Sequence, residues 1–389
     1  MSSPAGPGVL PQELFDAVID HCADDTQSLK ACSLVCHNWL HQCRVHLFQH
    51  FCLRFKQESA MESSSQYTLR LKDEFSEISG IINYIRSLKF DFRGVVRSES
   101  EVNVWVDVIP RFSLTQLVSL EIVRPRDLDL FDDSSVDYQN IMERLISFLC
   151  ANSHLQNLAF SHLAMSERFM NRIFLCIARP ESMIKELSIH STQYLRSARR
   201  AVSASGDVSP ILPLESLYFQ NETPLTLLEL AKTCSNFSLP KLTLLSVVGM
   251  SNVSCTMAIL DQAAQTLTHV ILDMRWFAWH TTEIDFPITP NLTHLHLMNR
   301  YQNRFFGHIL QKILQSQAKM QHIHIADDFW LEYSATDNSL VRFVKDMPSL
   351  RAITVCWGTN TGFPASRLLD MLPGTNATGI LEVALAPQW

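Results

Sequence analysis

This sequence of 389 residues has few glycines, and it lacks common catalytic signature motifs and long apolar runs. It has 11 glycines, and neither a P-loop nor a G-x-G-x-x-G, G-x-S-x-G or H-E-x-x-H motif occurs. A phosphate-cradling loop and the common hydrolase and zinc-protease sites are therefore not indicated. We expect a non-enzymatic protein without a cofactor.

The sequence has fewer basic than acidic residues. The formal net charge is -7, and Lys and Arg do not form a dominant basic patch, so nucleic acid is not an expected partner. The sequence contains no stretch of about 18 apolar residues that could cross a bilayer, so we expect no membrane association. The composition, 47% apolar and 18% charged, is that of an ordinary globular protein.

The opening residues MSSPAGPGVLPQEL lack the basic segment and apolar run of a secretory signal. Ten cysteines without such a signal are typical of reduced thiols, not of a disulfide framework. We therefore expect a cytoplasmic or nuclear protein that is not secreted.

One stretch, CSLVCHNWLHQCRVHLFQHFC (32–52), holds four cysteines and four histidines and suggests a zinc module. It contains no C-x-x-C knuckle, however, and helical spacing places its cysteines along an apolar stripe, where free Cys behaves as a small hydrophobe. The stretch favours a packing and docking helix with Trp39 on that stripe, and we predict no metal.

The chain divides into two unequal parts. Residues 1–9 are expected to be a disordered tail, and 10–55 a small three-helix domain whose apolar residues follow a helical period. Residues 56–80, beginning with the Ser- and Glu-rich QESAMESSSQ, are expected to be a hinge and a linking helix.

Residues 81–389 repeat one motif, apolar-x-x-apolar-x-apolar, eleven times at offsets of 25 to 38 residues. Amphipathic helical segments lie between the copies, which are IRSLKF (85), LVSLEI (117), LQNLAF (155), IKELSI (184), LESLYF (214), LTLLSV (242), LTHVIL (267), LTHLHL (292), MQHIHI (320), LRAITV (350) and ILEVAL (380). This spacing predicts an α/β repeat fold, an open leucine-rich-repeat solenoid with a parallel concave sheet of about eleven strands. A TIM barrel also alternates strand and helix, but it closes on eight units.

The N-terminal segment LPQELFDAVIDHCADDTQSLKACSLVCHNWLHQCRVHLF resembles an F-box, in the form abundant in mushroom-forming fungi. The whole chain resembles the F-box proteins of that type, in which irregular leucine-rich repeats follow the box. The resemblance is carried by Leu10-Pro11-x-x-Leu14, Val18-Ile19, Leu34-Val35-Cys36 and Trp39. The segment EFSEISGIINYIRSLKFD is similar to the one that joins box and repeats in that family.

The resemblance implies a substrate receptor of an SCF-type cullin-RING ubiquitin ligase, in which the box docks onto a Skp-family adaptor and the repeats hold a target protein. A domain this small leaves apolar side chains for a partner to cover, although any one of them could instead pack inside it. The expected adaptor-binding residues are Leu10, Pro11, Leu14, Val18, Ile19, Leu34, Val35 and Trp39. The alternatives are a repeat scaffold that no longer recruits a ligase and a metal-dependent enzyme built on sheet histidines.

Strand alternation places the residues between the framework leucines on the concave face. Five histidines occupy equivalent positions of three successive repeats there, which predicts a histidine ladder. A plain polar face, part of a target-binding patch, a metal site and a pH-sensitive surface are all interpretations of it. The candidate target-binding residues are Tyr218, Gln220, His269, His294, His296, His322, His324, Trp276, Arg300, Tyr301, Trp330 and Trp357.

Overall fold

A computed structural model describes sixteen stretches of the chain: 11–59, 61–78, 80–95, 98–111, 114–124, 136–162, 164–165, 167–190, 193–194, 210–220, 236–248, 253–273, 286–299, 303–327, 333–357 and 369–385. They belong to two compact units. The first comprises Met1–Pro125 and Val136–Gln156, and the second Arg126–Ser135 and Asn157–Trp389.

The first unit opens with three short helices, α1 (Gln12–His21), α2 (Thr26–Ser33) and α3 (His37–Phe48). The Asp25 carboxylate caps α2 by accepting hydrogen bonds from the backbone N–H groups of Gln27 and Ser28. The three helices share a small core of Ile19, Leu29 and Cys43. This confirms the predicted three-helix arrangement.

The rest of the first unit is a sheet of three parallel strands with helices. The strands are β1 (His50–Lys56), β2 (Ser87–Gly94) and β3 (Ser119–Val123), paired in chain order. The helices are α4 (Ser64–Ile78), α5 (Ser98–Asn103) and α6 (Val136–Ala151), with shorter helical turns at Ile82–Tyr84, Val104–Val108 and Ile109–Arg111. Phe55 and Phe92 stack beneath the sheet with ring centroids 4.6 Å apart.

The second unit is a longer run of the same design. Nine described strands of its main sheet follow chain order, each parallel to its neighbour. They are β4 (Asn157–Ser161), β6 (Glu186–His190), β8 (Ser216–Gln220), β9 (Leu244–Val248), β10 (His269–Asp273), β11 (His294–Asn299), β12 (His322–Asp327), β13 (Ala352–Trp357) and β14 (Leu381–Leu385). Two short strands, β5 (Ala164–Met165) and β7 (Gln193–Tyr194), pair separately.

Helices connect many of these strands, because parallel strands need a crossover. The described ones are α7 (Glu167–Ile177), α8 (Val253–Ala263), α9 (Asn303–Gln315), α10 (Tyr333–Asp346) and α11 (Pro373–Asn376). Asp337 of α10 ties down α11 by accepting from the backbone N–H groups of Gly374 (2.9 Å) and Thr375 (2.7 Å).

The predicted α/β repeat is confirmed at the level of strands and helices. All eleven predicted repeat motifs form strands, and the two units together hold twelve parallel strands of the main sheet. The linear order of nine strands in the second unit differs from the closed eight-stranded barrel considered as the rival. Within the described part of the chain, no helix is both long and apolar enough to cross a membrane.

Residues 50–66 join the three helices to the rest of the first unit. The docking helix expected within 32–52 stops before the end of that stretch, since α3 ends at Phe48 and β1 begins at His50. The expected hinge is tied to the sheet, since Gln57 N–H donates to the Gly94 carbonyl and the Arg70 guanidinium donates to the Lys56 carbonyl. Hydrogen bonds of this kind hold the segment in place.

Candidate functional site

The second unit has a face of polar side chains opposite its core. In β8 the side chains of Leu217 and Phe219 are buried, as are those of Leu295 and Leu297 in β11. Because successive side chains of a strand point to opposite sides, the residues between them form the other side of the sheet, which we call the sheet face.

Strand pairing arranges the sheet face in rows that run across the strands, and two of these rows contain the predicted histidine ladder. In the first row stand Asn157, Glu186, Ser216, Leu244, His269, His294, His322 and Ala352. In the second row stand Ala159, Ser188, Tyr218, Ser246, Ile271, His296, His324, Thr354 and Glu382. The predicted histidine ladder, which comprises His269, His294 and His322 in the first row and His296 and His324 in the second, is thereby confirmed in register.

The rings of the ladder stack on one another. Ring centroids of His269 and His294 lie 4.2 Å apart with planes at 10°, and those of His294 and His322 lie 4.7 Å apart at 16°. In the second row His296 and His324 are 5.5 Å apart at 25°. Neighbouring rings in each row therefore face one another.

Two threonine hydroxyls hold the first row in orientation. Thr268 Oγ1 lies 2.9 Å from His269 Nδ1, and Thr293 Oγ1 lies 2.9 Å from His294 Nδ1. Both hydroxyls also lie within hydrogen-bond distance of a backbone carbonyl on the preceding repeat, at 3.1 Å from Thr243 O and 3.0 Å from Thr268 O. The threonines were not predicted as site residues, although the repeated Thr-His dipeptide in LTHVIL and LTHLHL marks them.

The environment of the ladder disfavours protonated imidazole. Burial lowers the pKa of His269, and burial together with the neighbouring histidines lowers the pKa of His294 and of His324. His296 is buried, and burial with the neighbouring His324 lowers its pKa to about 4 despite the opposing effect of Asp273. These four rings are therefore neutral at physiological pH.

The remaining described candidates lie on other strands of the same sheet. Tyr218 stands in the second row, where burial raises the pKa of its phenol. Gln220 is bonded through its Oε1 to His190 Nδ1 at 2.8 Å. Trp357 ends β13, while Trp276, Arg300, Tyr301 and Trp330 lie outside the described residues.

Metal binding finds no support in the described part of the chain. No group of three or more His, Cys, Asp or Glu side chains there could hold a metal ion. Parallel stacked rings do not converge on one point, whereas a tetrahedral zinc site requires convergence.

A second candidate surface lies on the N-terminal helices, where apolar side chains face the surroundings. Exposure is 52% at Leu14, 52% at Val18, 87% at Leu34 and 63% at Val35. Leu14 and Val18 are one turn apart on α1, and Leu34 and Val35 follow α2. Pro11 is exposed as well, and Leu10 lies outside the described residues.

Of the predicted adaptor-binding residues, Ile19 is buried and Trp39 is partly buried. Ile19 is fully buried in the three-helix core, so its side chain packs internally and is not available to a partner. Trp39 is half-buried against that core and lies 5.8 Å from the Phe15 ring, which joins α1 to α3. The sequence could not separate core from surface here because both follow the same helical period.

The cysteines of the same helices serve as packing residues. Cys43 is buried, and Cys22 and Cys32 pack partly buried against it. Burial and the neighbouring thiols raise the pKa of Cys43, which keeps it protonated and unreactive. Cys36 instead is exposed at the start of α3, outside the apolar stripe on which it was expected.

The opposite flank of α3 is polar and borders a cavity of about 360 Å³. Its lining includes His37, His41 and Arg44 of α3, with Tyr84 across from them. His41 Nδ1 and the Tyr84 hydroxyl are 3.2 Å apart, so this flank fastens α3 to the turn that precedes β2.

Comparison with known proteins adds no relative. No protein-family model matches the chain, and no curated protein matches it.

Proposed function

We propose that this protein is the substrate-recognition subunit of an SCF-type cullin-RING ubiquitin ligase, with no catalytic step of its own. In this proposal α1–α3 are an F-box that docks onto a Skp-family adaptor. The strand–helix units are irregular leucine-rich repeats whose concave sheet holds a target protein. The cytoplasm or nucleus is the proposed location.

The observation that carries the proposal is the exposed apolar surface of the three N-terminal helices. Ten large apolar side chains are strongly exposed among the described residues, and four of them are Leu14, Val18, Leu34 and Val35. The core of these helices is small, with Ile19, Leu29 and Cys43 at its centre. Exposed apolar clusters on so small a helical unit are typical of surfaces that a partner covers.

The repeats support the second half of the proposal. Parallel strands in matching register place equivalent residues of successive repeats side by side, which creates an extended binding face. The face carries Tyr218, and tyrosine is a frequent anchor of protein interfaces.

Co-purification of the full chain with a Skp-family adaptor and a cullin tests the proposal. We expect wild type to form the complex and Leu34→Asp and Val35→Asp to lose it, because a buried unpaired carboxylate disfavours an apolar interface. Leu175→Asp is the matched control, since Leu175 of α7 is 52% exposed yet lies outside the three helices.

Absence of the complex with wild type would contradict the proposal and favour a repeat scaffold that does not recruit a ligase. Equal losses in all three variants would contradict the assigned docking surface. A metal-dependent enzyme would be supported only by stoichiometric metal in purified protein that disappears in His294→Ala plus His322→Ala.

A further inference from the structure

The contacts of Thr268 and Thr293 favour hydrogen-bond acceptors in the first row of the histidine ladder. A threonine hydroxyl has one proton, and at Thr268 and Thr293 it lies within reach of a backbone carbonyl, which can only accept. If the proton goes to the carbonyl, the hydroxyl oxygen accepts from the adjacent imidazole. Nδ1 of His269 and of His294 then carries the ring proton, and Nε2 keeps its lone pair.

The charges of the sheet face agree with an acceptor surface. Among the described positions of the two rows that contain the ladder in the second unit, none is Lys or Arg, whereas Glu186 and Glu382 contribute carboxylates. Asp273 lies near His296 but is buried at the end of β10, so it does not belong to the accessible surface. Leu244 and Ala352 flank the first row of the ladder and do not titrate.

We propose that the sheet face around the histidine ladder binds an arginine- or lysine-bearing segment of a partner protein, whose N–H groups donate to Nε2 of His269 and His294. Arg offers five donors in a planar fork and Lys offers three, and neither can accept. The carboxylates of Glu186 and Glu382, one on each side of the ladder, complement their charge. The inference rests on the proposed function only in that the partner would be the ligase target.

An acidic segment is the less suitable occupant. It would bring carboxylates toward Glu186, Glu382 and ring nitrogens that carry lone pairs, while the second-row rings stay neutral. Protonating the ladder would reverse this preference, because cationic rings would repel a basic segment. The basic partner therefore belongs to the neutral state of the ladder.

Nitrogen NMR of the full chain tests the acceptor geometry. Long-range proton–nitrogen correlations distinguish the two neutral tautomers of each imidazole. We expect protonated Nδ1 and unprotonated Nε2 at His269 and His294. Protonated Nε2 at both residues would overturn the proposal, since the ladder would then present donors.

Fluorescence anisotropy of labelled peptides tests the partner class. The probes are an Arg-Gly-Ser repeat peptide and two peptides of equal length with Glu or citrulline in place of Arg. We expect the full chain at neutral pH to prefer the Arg peptide. His269→Phe plus His294→Phe should weaken that binding by about tenfold or more, since the charge-assisted hydrogen bonds to both rings are lost while the stack and the net charge remain.

The controls separate this site from general attraction of a cationic peptide to a chain of net charge -7. His154→Phe removes an exposed histidine outside the ladder and should leave the affinity unchanged. Equal binding by wild type and the double Phe variant, or a preference for the Glu peptide, would overturn the proposal. Binding of the adaptor is measured separately, so failure of the ligase proposal and failure of this one are distinguishable.

Discussion

His269 and His294 stack face to face on adjacent parallel strands, with ring centroids 4.2 Å apart. Their Cα atoms are register partners, and each ring is fixed by the threonine that precedes it in its own repeat. The stack therefore arises from one local arrangement, Thr-His at the start of a strand, repeated at the strand spacing of about 4.8 Å.

Acid should destabilise the ladder through His296. Its pKa is about 4 in the folded chain and about 6.5 when unfolded, so between these values the unfolded chain binds more protons. The contribution of His296 is therefore fully present above pH of about 6.5 and is lost as the pH falls toward 4. The loss amounts to roughly 3 kcal/mol for the second unit.

Urea unfolding of wild type and His296→Leu, followed by circular dichroism across this pH range, measures the effect. We expect wild type to lose stability more steeply than the variant. Parallel pH dependence of the two proteins would show that His296 is not the responsible group.

Truncation of Ile19 should reduce stability, whereas truncation of Leu34 should reduce adaptor binding. Ile19→Ala should lower the free energy of unfolding of the first unit by about 2–4 kcal/mol, because it opens a cavity in a small core. Leu34→Ala should change stability by less than about 0.5 kcal/mol, since Leu34 is exposed, and should weaken adaptor binding instead. Thermal unfolding and adaptor pull-down of both variants decide this, and a large stability loss at Leu34 would contradict its assignment as a surface residue.

Gly374 should not tolerate a methyl group. A Cβ there would lie 2.8 Å from Val341 Cγ2 and 2.9 Å from the Asp337 Oδ2 that accepts from Gly374 N–H. We expect Gly374→Ala to destabilise the C-terminal repeats by about 1–3 kcal/mol, measured by hydrogen exchange of the β14 amides. Gly80→Ala is the control, because a Cβ at Gly80 has no neighbour within 4 Å.

Glu101 and Arg124 of the first unit form a buried ion pair. Among the ion pairs of the described residues in this unit, it is the one in which both side chains are buried. Arg124 Nη2 lies 2.7 Å from Glu101 Oε2, and both side chains are almost fully buried. Glu101→Leu should cost about 3–5 kcal/mol because it removes the carboxylate that pairs with a buried guanidinium, while the double change Glu101→Leu plus Arg124→Met should recover most of that loss.

The half-exposed pair Lys89 and Glu121 is the control for that experiment, with Nζ and Oε2 2.8 Å apart. Glu121→Gln should cost about 1 kcal/mol or less. Urea unfolding of all three variants makes the comparison, and equal costs for the two single changes would contradict the difference in burial.

Most of the sheet could be predicted from the sequence because its period is local and repeated. The spacing that identified eleven strands also occurs at FQHFCL (48–53), where it marks β1, but a helical pattern overlaps it. A residue such as His50 satisfies both patterns, and only parallel pairing with Ser87 decides between them.

The ladder was predictable for the same reason, since strand alternation and repeat spacing fix which histidines are neighbours. The roles of Ile19 and Trp39 were not, because helical periodicity identifies a stripe without saying which of its members the other helices cover. The hydroxyls of Thr268 and Thr293 depend on rotamers, which the spacing of residues does not determine.

Only Gln49 separates the end of α3 from the start of β1, and its carbonyl accepts from the backbone N–H groups of Arg86 (3.1 Å) and Ser87 (2.8 Å). Together with the His41–Tyr84 contact, these two hydrogen bonds prevent α3 from rotating relative to β1. A protein that binds the three helices would therefore also fix the orientation of β1–β3.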